Sequence, residues 1–246
     1  MGIDIVGLNS LMLSFPYVKD RQRMLTLGRQ QIYMGSHIFA DIMQNHIVSA
    51  LSTYNYNDYC ESFFKGIGFG SVDSMDNSSY EGASIIHNLN MPISLELKGR
   101  YGYIFDGGTS EHVFNIPQVY ENIIDLLQVG GIVCSVVPNN NFSGHGMYQF
   151  SPEFFLSVFK PKYGMQLLGL YIGRKDMNHN EWINVNDVHH STGGRNCSRF
   201  YDNEEVYIIS IAKKTSDERC SLVIDPPNQY SYEEIVWRNT KEIPKT

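Results

Sequence analysis

Short apolar runs alternate along the chain with stretches whose apolar residues recur at helical spacing. Met24-Leu-Thr-Leu-Gly28 is a run closed by glycine, and between Gly35 and Leu51 the positions Ile38, Phe39, Ile42, Met43, Ile47 and Leu51 follow close to a helical period. The order predicts strand, turn, helix. Ser71-Val-Asp-Ser-Met-Asp76 reads as a second strand ending in a carboxylate, Ala83-Ser-Ile-Ile86 as a third and Tyr101 to Phe105 as a fourth. Pro117 suits the first turn of a helix over Gln118 to Gln128, with Val119, Ile123, Ile124 and Leu127 inward and Gly130-Gly131 as its stop. Ile132 to Val137 is the fifth strand, stopped by Pro138. A helix opens at Ser151-Pro152-Glu153 and runs through Phe154 to Phe159. Met165 to Ile172 and Glu205 to Ala212 complete the set.

Strands alternating with helices predict an α/β fold, with a doubly wound, mostly parallel sheet covered on both faces and joined by right-handed crossovers. One domain over residues 1–246 is expected. Arg174 to Phe200, rich in Asn, His and Gly, reads as a lid-like insertion (174–200) before the last strand, because a loop that long in a compact domain is usually functional or disordered. The stretch after Asp225-Pro-Pro (225–246) shows no clear periodicity and reads as a tail. Gly66-Ile-Gly-Phe-Gly70 imitates a glycine loop, but it precedes a strand instead of following one, so it reads as a turn.

Composition narrows the function. A formal net charge of -7 argues against a protein that grips phosphate backbones, so the expected ligand is a small molecule and not nucleic acid. Cys60, Cys134, Cys197 and Cys220 are widely spaced and read as reduced thiols. No stretch approaches the roughly 20 apolar residues that span a bilayer, and no basic segment leads into an apolar core, so a cytoplasmic protein without membrane contact is expected.

The candidate chemistry lies at strand ends, where open α/β sheets bind ligands. Asp106-Gly-Gly-Thr-Ser-Glu-His112 follows the fourth strand and delivers a carboxylate, two glycines and a Glu-His pair. Together with Leu25-Thr-Leu-Gly28-Arg-Gln30 in the first turn, Ser74-Met-Asp76 after the second strand and Gln128-Val-Gly-Gly131 before the fifth, this stretch resembles the class I S-adenosylmethionine-dependent methyltransferases of a small-molecule type. The resemblance covers roughly Met24 to Ala212. It implies a Rossmann-like, seven-stranded sheet with an antiparallel last strand, S-adenosylmethionine as cofactor, and acceptors such as small molecules or surface-polysaccharide precursors. The chain departs from the pattern in its first loop, which has one glycine where several are usual, and in the 48 residues that separate Gly28 from Asp76. The first crossover must therefore hold extra structure.

On that resemblance Gly28, Arg29 and Gln30 form the first cofactor loop, Asp76 accepts the ribose hydroxyls, Asn88 sits beside the adenine, and Asp106 and Gly107 wall the sulfonium end. Each has a plainer alternative: Asp-Asn-Ser-Ser is good capping sequence, His-Asn-Leu-Asn an ordinary loop and Asp-Gly-Gly an ordinary turn. Asp73 competes with Asp76 if the register differs.

His112 is the candidate general base, because neutral imidazole accepts a proton near pH 7, with Glu111 orienting it and His145 as the alternative base. The polar loop after the fifth strand offers Tyr148 and Gln149 to a substrate, Trp182 would close over the pocket, and Arg195 would bind an anionic group. His179, His189 and His190, with Asp176 and Asp187, lack ligand spacing, so no metal is expected there. Two other readings remain. A nicotinamide-dependent oxidoreductase would need a glycine fingerprint that Leu27-Gly28-Arg29-Gln30 lacks, and a non-catalytic binding protein on the same fold would account for that thin loop.

Overall fold

The computed structural model describes residues 2–44, 59–175, 181–185 and 203–222. Among these, β1 (Gly2–Ile3) and helix α1 (Ile5–Ser14) lead into β2 (Arg23–Leu27), followed by β3 (Gln31–Ile32), α2 (Ser36–Gln44) and α3 (Glu61–Gly66). Next come β4 (Ser71–Asp76), β5 (Ile85–Ile86), β6 (Tyr101–Gly107), α4 (Ile116–Leu126), β7 (Leu127–Asn140), α5 (Pro152–Val158), β8 (Met165–Arg174), β9 (Ile183–Asn184) and β10 (Val206–Lys214). The long first crossover contains β3, α2 and α3, as the Gly28 to Asp76 spacing requires.

One sheet has the order β5-β4-β2-β6-β7-β10-β8-β9. β5, β4, β2, β6 and β7 are parallel, and β10 runs antiparallel between β7 and β8. The last long strand is thus the antiparallel one, but the sheet has eight strands where seven were expected. The eighth, β9, pairs Ile183 with Ile172 and Asn184 with Tyr171, and it lies inside the segment expected to be a lid. Its apolar neighbours explain why it settles there: Trp182 and Val185 are buried, and burying them offsets the cost of ordering the strand. A separate parallel pair joins β1 to β3.

Alternating strand residues feed two cores. Leu25, Ile104, Val133 and Ile208 pack with Tyr120, Ile123 and Phe155 of α4 and α5. Met24, Tyr103, Cys134 and Ile209 pack on the other face with Leu8 and Leu11 of α1, Phe39 of α2 and Phe64 of α3. Both faces are covered, so the strands read as nearly continuous apolar runs.

Some boundaries differ from the sequence reading for local reasons. Helix α4 stops at Leu126, and Gly130-Gly131 lie inside β7, where the pairing slips from Tyr101–Leu127 to Tyr103–Ile132 and Gly130 takes φ +90. Pro138 does not end β7 either, because the β10 pairing shifts between Val206 and Tyr207 at that point. The third strand is only two residues long, and Ser84 extends the contact through bonds to Ser74. The helix expected to Leu51 is described only for Ser36–Gln44. Cys134 and Cys220 are free thiols and Cys60 is buried, while Cys197 and the tail 225–246 lie outside the described residues. Among the described residues no helix is long and apolar enough to cross a membrane.

Candidate active site

The chain leaves β2 for β4 on one side and returns to β6 on the other, so the loops after β2 and β6 diverge and open a crevice at the carboxyl edge. Gly28 turns the chain out of β2 at φ +67, a conformation that favours glycine, and its amide donates to the Met75 carbonyl at 2.8 Å. Arg29 points into the crossover: its guanidinium meets Glu61 at 2.7 Å and lies 3.9 Å from the centre of the Tyr59 ring. Gln30 is buried, donates to the Leu27 carbonyl at 2.8 Å and, among the described residues, leaves its Oε1 without a hydrogen-bond partner.

Asp76 and Asn88 line one cavity of about 360 Å³ together with His87, Asn90, Thr109 and His112. Asp76 also accepts from the Ser78 amide at 3.1 Å, so it caps its own turn as well as facing the cavity. Asn88 Oδ1 is engaged by the Asn90 amide at 3.0 Å. Asp73 accepts the Tyr101 hydroxyl at 2.9 Å, which leaves Asp76 as the carboxylate of β4 at this edge.

Asp106 is brought to the end of β6 but is fully buried. Its carboxylate accepts the Thr109 amide at 3.0 Å, the Ser110 amide at 3.3 Å and the Ser110 hydroxyl at 2.7 Å, and burial raises its pKa against the pull of those bonds. It holds the turn that carries Glu111 and lines neither cavity described here. Thr109 ties that turn to β2 through the Leu27 carbonyl at 2.7 Å.

A second cavity of about 180 Å³ lies on the other side of the same turn, lined by Gly107, Gly108, Glu111, His145, Phe142 and Tyr207 among others. The sequence reading missed part of its wall, Gly2, Asp4 and Gly7 from the start of the chain and Glu205, whereas Lys175, also in the wall, belongs to the basic residues read as able to bind an anionic group. Asp4 caps α1 by accepting the Gly7 amide at 2.9 Å, and its other oxygen takes the Tyr207 hydroxyl at 3.1 Å. Lys175 bonds Glu205 at 3.0 Å and stands 3.6 Å from Asp4. An aspartate just before an apolar run is a helix-start signal, and it was the available clue.

Glu111, His112 and His145 meet where the two cavities approach each other. The Glu111 side chain is 1% exposed; its Oε1 lies 3.7 Å from His112 Nε2 and 3.5 Å from His145 Nε2, and the imidazoles sit edge to face with centres 5.1 Å apart. Burial, reinforced by the nearby Asp106 carboxylate, pushes the Glu111 carboxyl up to about 8. Burial, and then the His145 imidazole, lowers the pKa of His112. The loop after β7 is fastened to this corner, since the Met147 and Tyr148 amides donate to the Glu111 carbonyl at 2.8 and 3.2 Å.

The remaining expected site residues are placed differently. The Tyr148 hydroxyl bonds the Phe114 carbonyl at 2.7 Å, and Gln149 Oε1 accepts the Phe142 amide at 3.0 Å, so both brace the loop that carries His145. Trp182, expected to close over the pocket, is buried against Gly173 of β8 and lines neither cavity. Arg195, with His179, His189, His190, Asp176 and Asp187, lies outside the described residues.

No protein-family model matches the sequence, and no curated protein matches it. Solved structures with a similar chain course include a SAM-dependent methyltransferase from Archaeoglobus fulgidus, at 13% identity over 85% of this chain and 93% of that one, with a TM-score of 0.45. Another is the Haemonchus contortus phosphoethanolamine N-methyltransferase 2 in complex with S-adenosyl-L-methionine. It is 12% identical over 85% of this chain and 53% of its own, with a TM-score of 0.44, so this chain spans about half of it.

Proposed function

We propose that this protein transfers a methyl group from S-adenosylmethionine to a small-molecule acceptor, a surface-glycan precursor being one such class. The observation that carries the reading is the pair of cavities on either side of the turn after β6: one offers Asp76 and Asn88, the other a polar wall, and the Glu111, His112 and His145 cluster lies between. The crevice suits the cofactor. A side chain at Gly107 would strike Phe105 and crowd Gln30 Oε1, which is itself a buried acceptor in search of a donor such as an ammonium group.

When bound, S-adenosylmethionine supplies a sulfonium-activated methyl group. Asp76 would accept the ribose hydroxyls, Asn88 would flank the adenine, and Gly107 with Gln30 would border the amino-acid end. The protein's chief task is then alignment and exclusion of water. For a hydroxyl acceptor, His145, which lines the second cavity, or His112 would take the proton, with the Glu111 carboxyl setting the imidazole's position.

Calorimetric titration with S-adenosylmethionine, S-adenosylhomocysteine and NAD tests the reading. Micromolar binding of the sulfur nucleotides, and none of NAD, is expected. Absence of binding at millimolar concentration would favour the non-catalytic alternative, which the single glycine of the first loop and the inward-turned Arg29 support.

A further inference from the structure

We infer that Glu111, His112 and His145 are the protein ligands of one divalent transition-metal ion, held where the two cavities meet. Ligand atoms drawn one from each residue lie within 4.8 Å of one another. The Nε2 to Oε1 separations of 3.7 and 3.5 Å are those of atoms about 2.1 Å from a shared ion with bonds opened to roughly 110–125°. Two imidazoles and one carboxylate are the donor set of open catalytic metal sites, in which the remaining positions are left to water or substrate.

The carboxylate itself is the second, independent observation. Both oxygens of Glu111 are buried and, among the described residues, neither has a hydrogen-bond partner, although a buried carboxyl normally collects donors. A cation at Oε1 supplies what is missing. The backbone is also shaped around that oxygen: Gly108, at φ +85, would put a side-chain carbon 3.0 Å from Oε1, and Gly146, at φ +75, would put one 3.0 Å from Glu111 Cγ and 3.3 Å from His112 Nδ1. Two glycines therefore allow the turn and the His145 loop to close on the carboxylate while leaving it bare.

The site stands on this geometry alone, whereas its role rests on the methyl-transfer reading. A cation here would bind an acceptor oxygen entering from the second cavity and lower its pKa, the hydroxyl proton leaving to solvent. The imidazoles would then serve as ligands, and the cation would replace them as the group that activates the acceptor.

The full chain, stripped with chelator, would be titrated with Co²⁺ alone while its visible ligand-field absorption is followed, for the wild type, Glu111→Gln and His145→Ala. The wild type should show one saturable band that Zn²⁺ displaces, and each variant should lose it or need at least tenfold more cobalt. Stray surface imidazoles contribute equally to all three proteins. His145 is 53% exposed on a loop, so its variant stays informative even if the buried glutamine variant fails to fold. Equal titrations for the wild type and His145→Ala, or no saturable band in the wild type, overturn the site. A parallel titration of the wild type with S-adenosylhomocysteine separates the two ideas: nucleotide binding without the band removes the cation site alone, and the band without nucleotide binding removes the methyl-transfer reading alone.

Discussion

A methyl group on Gly107 would come 2.7 Å from Phe105 Cε1 and 3.1 Å from Gln30 Oε1, both held in a packed interior. Gly107→Ala should therefore destabilise the protein by about 1–3 kcal/mol, read as a lowered urea midpoint with an unchanged slope. Asp76 divides two roles more finely. Asp76→Ala should weaken S-adenosylhomocysteine binding by roughly tenfold to a hundredfold, as expected for losing a charge-assisted pair of hydrogen bonds. Asp76→Asn keeps an acceptor for the Ser78 amide, so an affinity as weak as that of the alanine variant would assign the effect to the charge and not to the turn. Calorimetry at wild-type affinity for both would remove Asp76 from the site. The place of Asp76 at the end of a strand was legible in the sequence, and β4 does end there. The direction of a side chain was not: Asp106 looked like Asp76 on paper, yet its carboxylate turns back onto Thr109 and Ser110.

Elements were legible where one side is polar. Helix α4 buries Val119, Tyr120 and Ile123 and keeps the polar Gln118, Glu121 and Asp125 half-buried on its other side, so its period showed through. Helix α1 is buried nearly all round, from Val6 to Ser14, and offered no polar stripe for periodicity to detect, which is why a wall of the second cavity went unread. Its start depends on Asp4. Asp4→Ala should cost about 1 kcal/mol through the lost cap and should also release the Tyr207 hydroxyl, a loss measurable as a lower unfolding temperature. Helix α4 is tied to the segment after β10 by Arg219, which bridges Glu121 at 2.7 Å and Asp125 at 2.5 Å, while Lys98 reaches Asp125 at 2.7 Å. Burial alone would raise the Asp125 carboxyl, but the two cations outweigh it and hold its pKa below the ordinary value. Because the folded value is the lower one, this stabilisation is present above the unfolded pKa and is lost as pH falls through the folded value. Wild-type stability should therefore drop more steeply on acidification below about pH 4 than that of Asp125→Asn, as followed by thermal melts across acid pH.

For the molecule as a whole, the doubly wound sheet followed from alternating strand and helix signals, whereas its antiparallel last long strand was expected only from the family resemblance. The eighth strand was not expected at all, because two paired residues are too few to carry a period. If the crevice binds nucleotide only in the folded state, S-adenosylhomocysteine at a hundredfold its Kd should stabilise the protein by about 2.7 kcal/mol, a rise of roughly 5–10 °C in Tm for a chain of this size. NAD at the same concentration should leave the melt unchanged. The position of β10 also bears on biosynthesis. A ribosome releases β7 and β8 before the strand that joins them, so the growing chain carries two long open edges until residues 206–214 emerge. Two strands, β8 and β9, must then wait for the insertion of a single late strand, and the interval before that insertion is when the nascent chain is most exposed to mispairing and most in need of a chaperone.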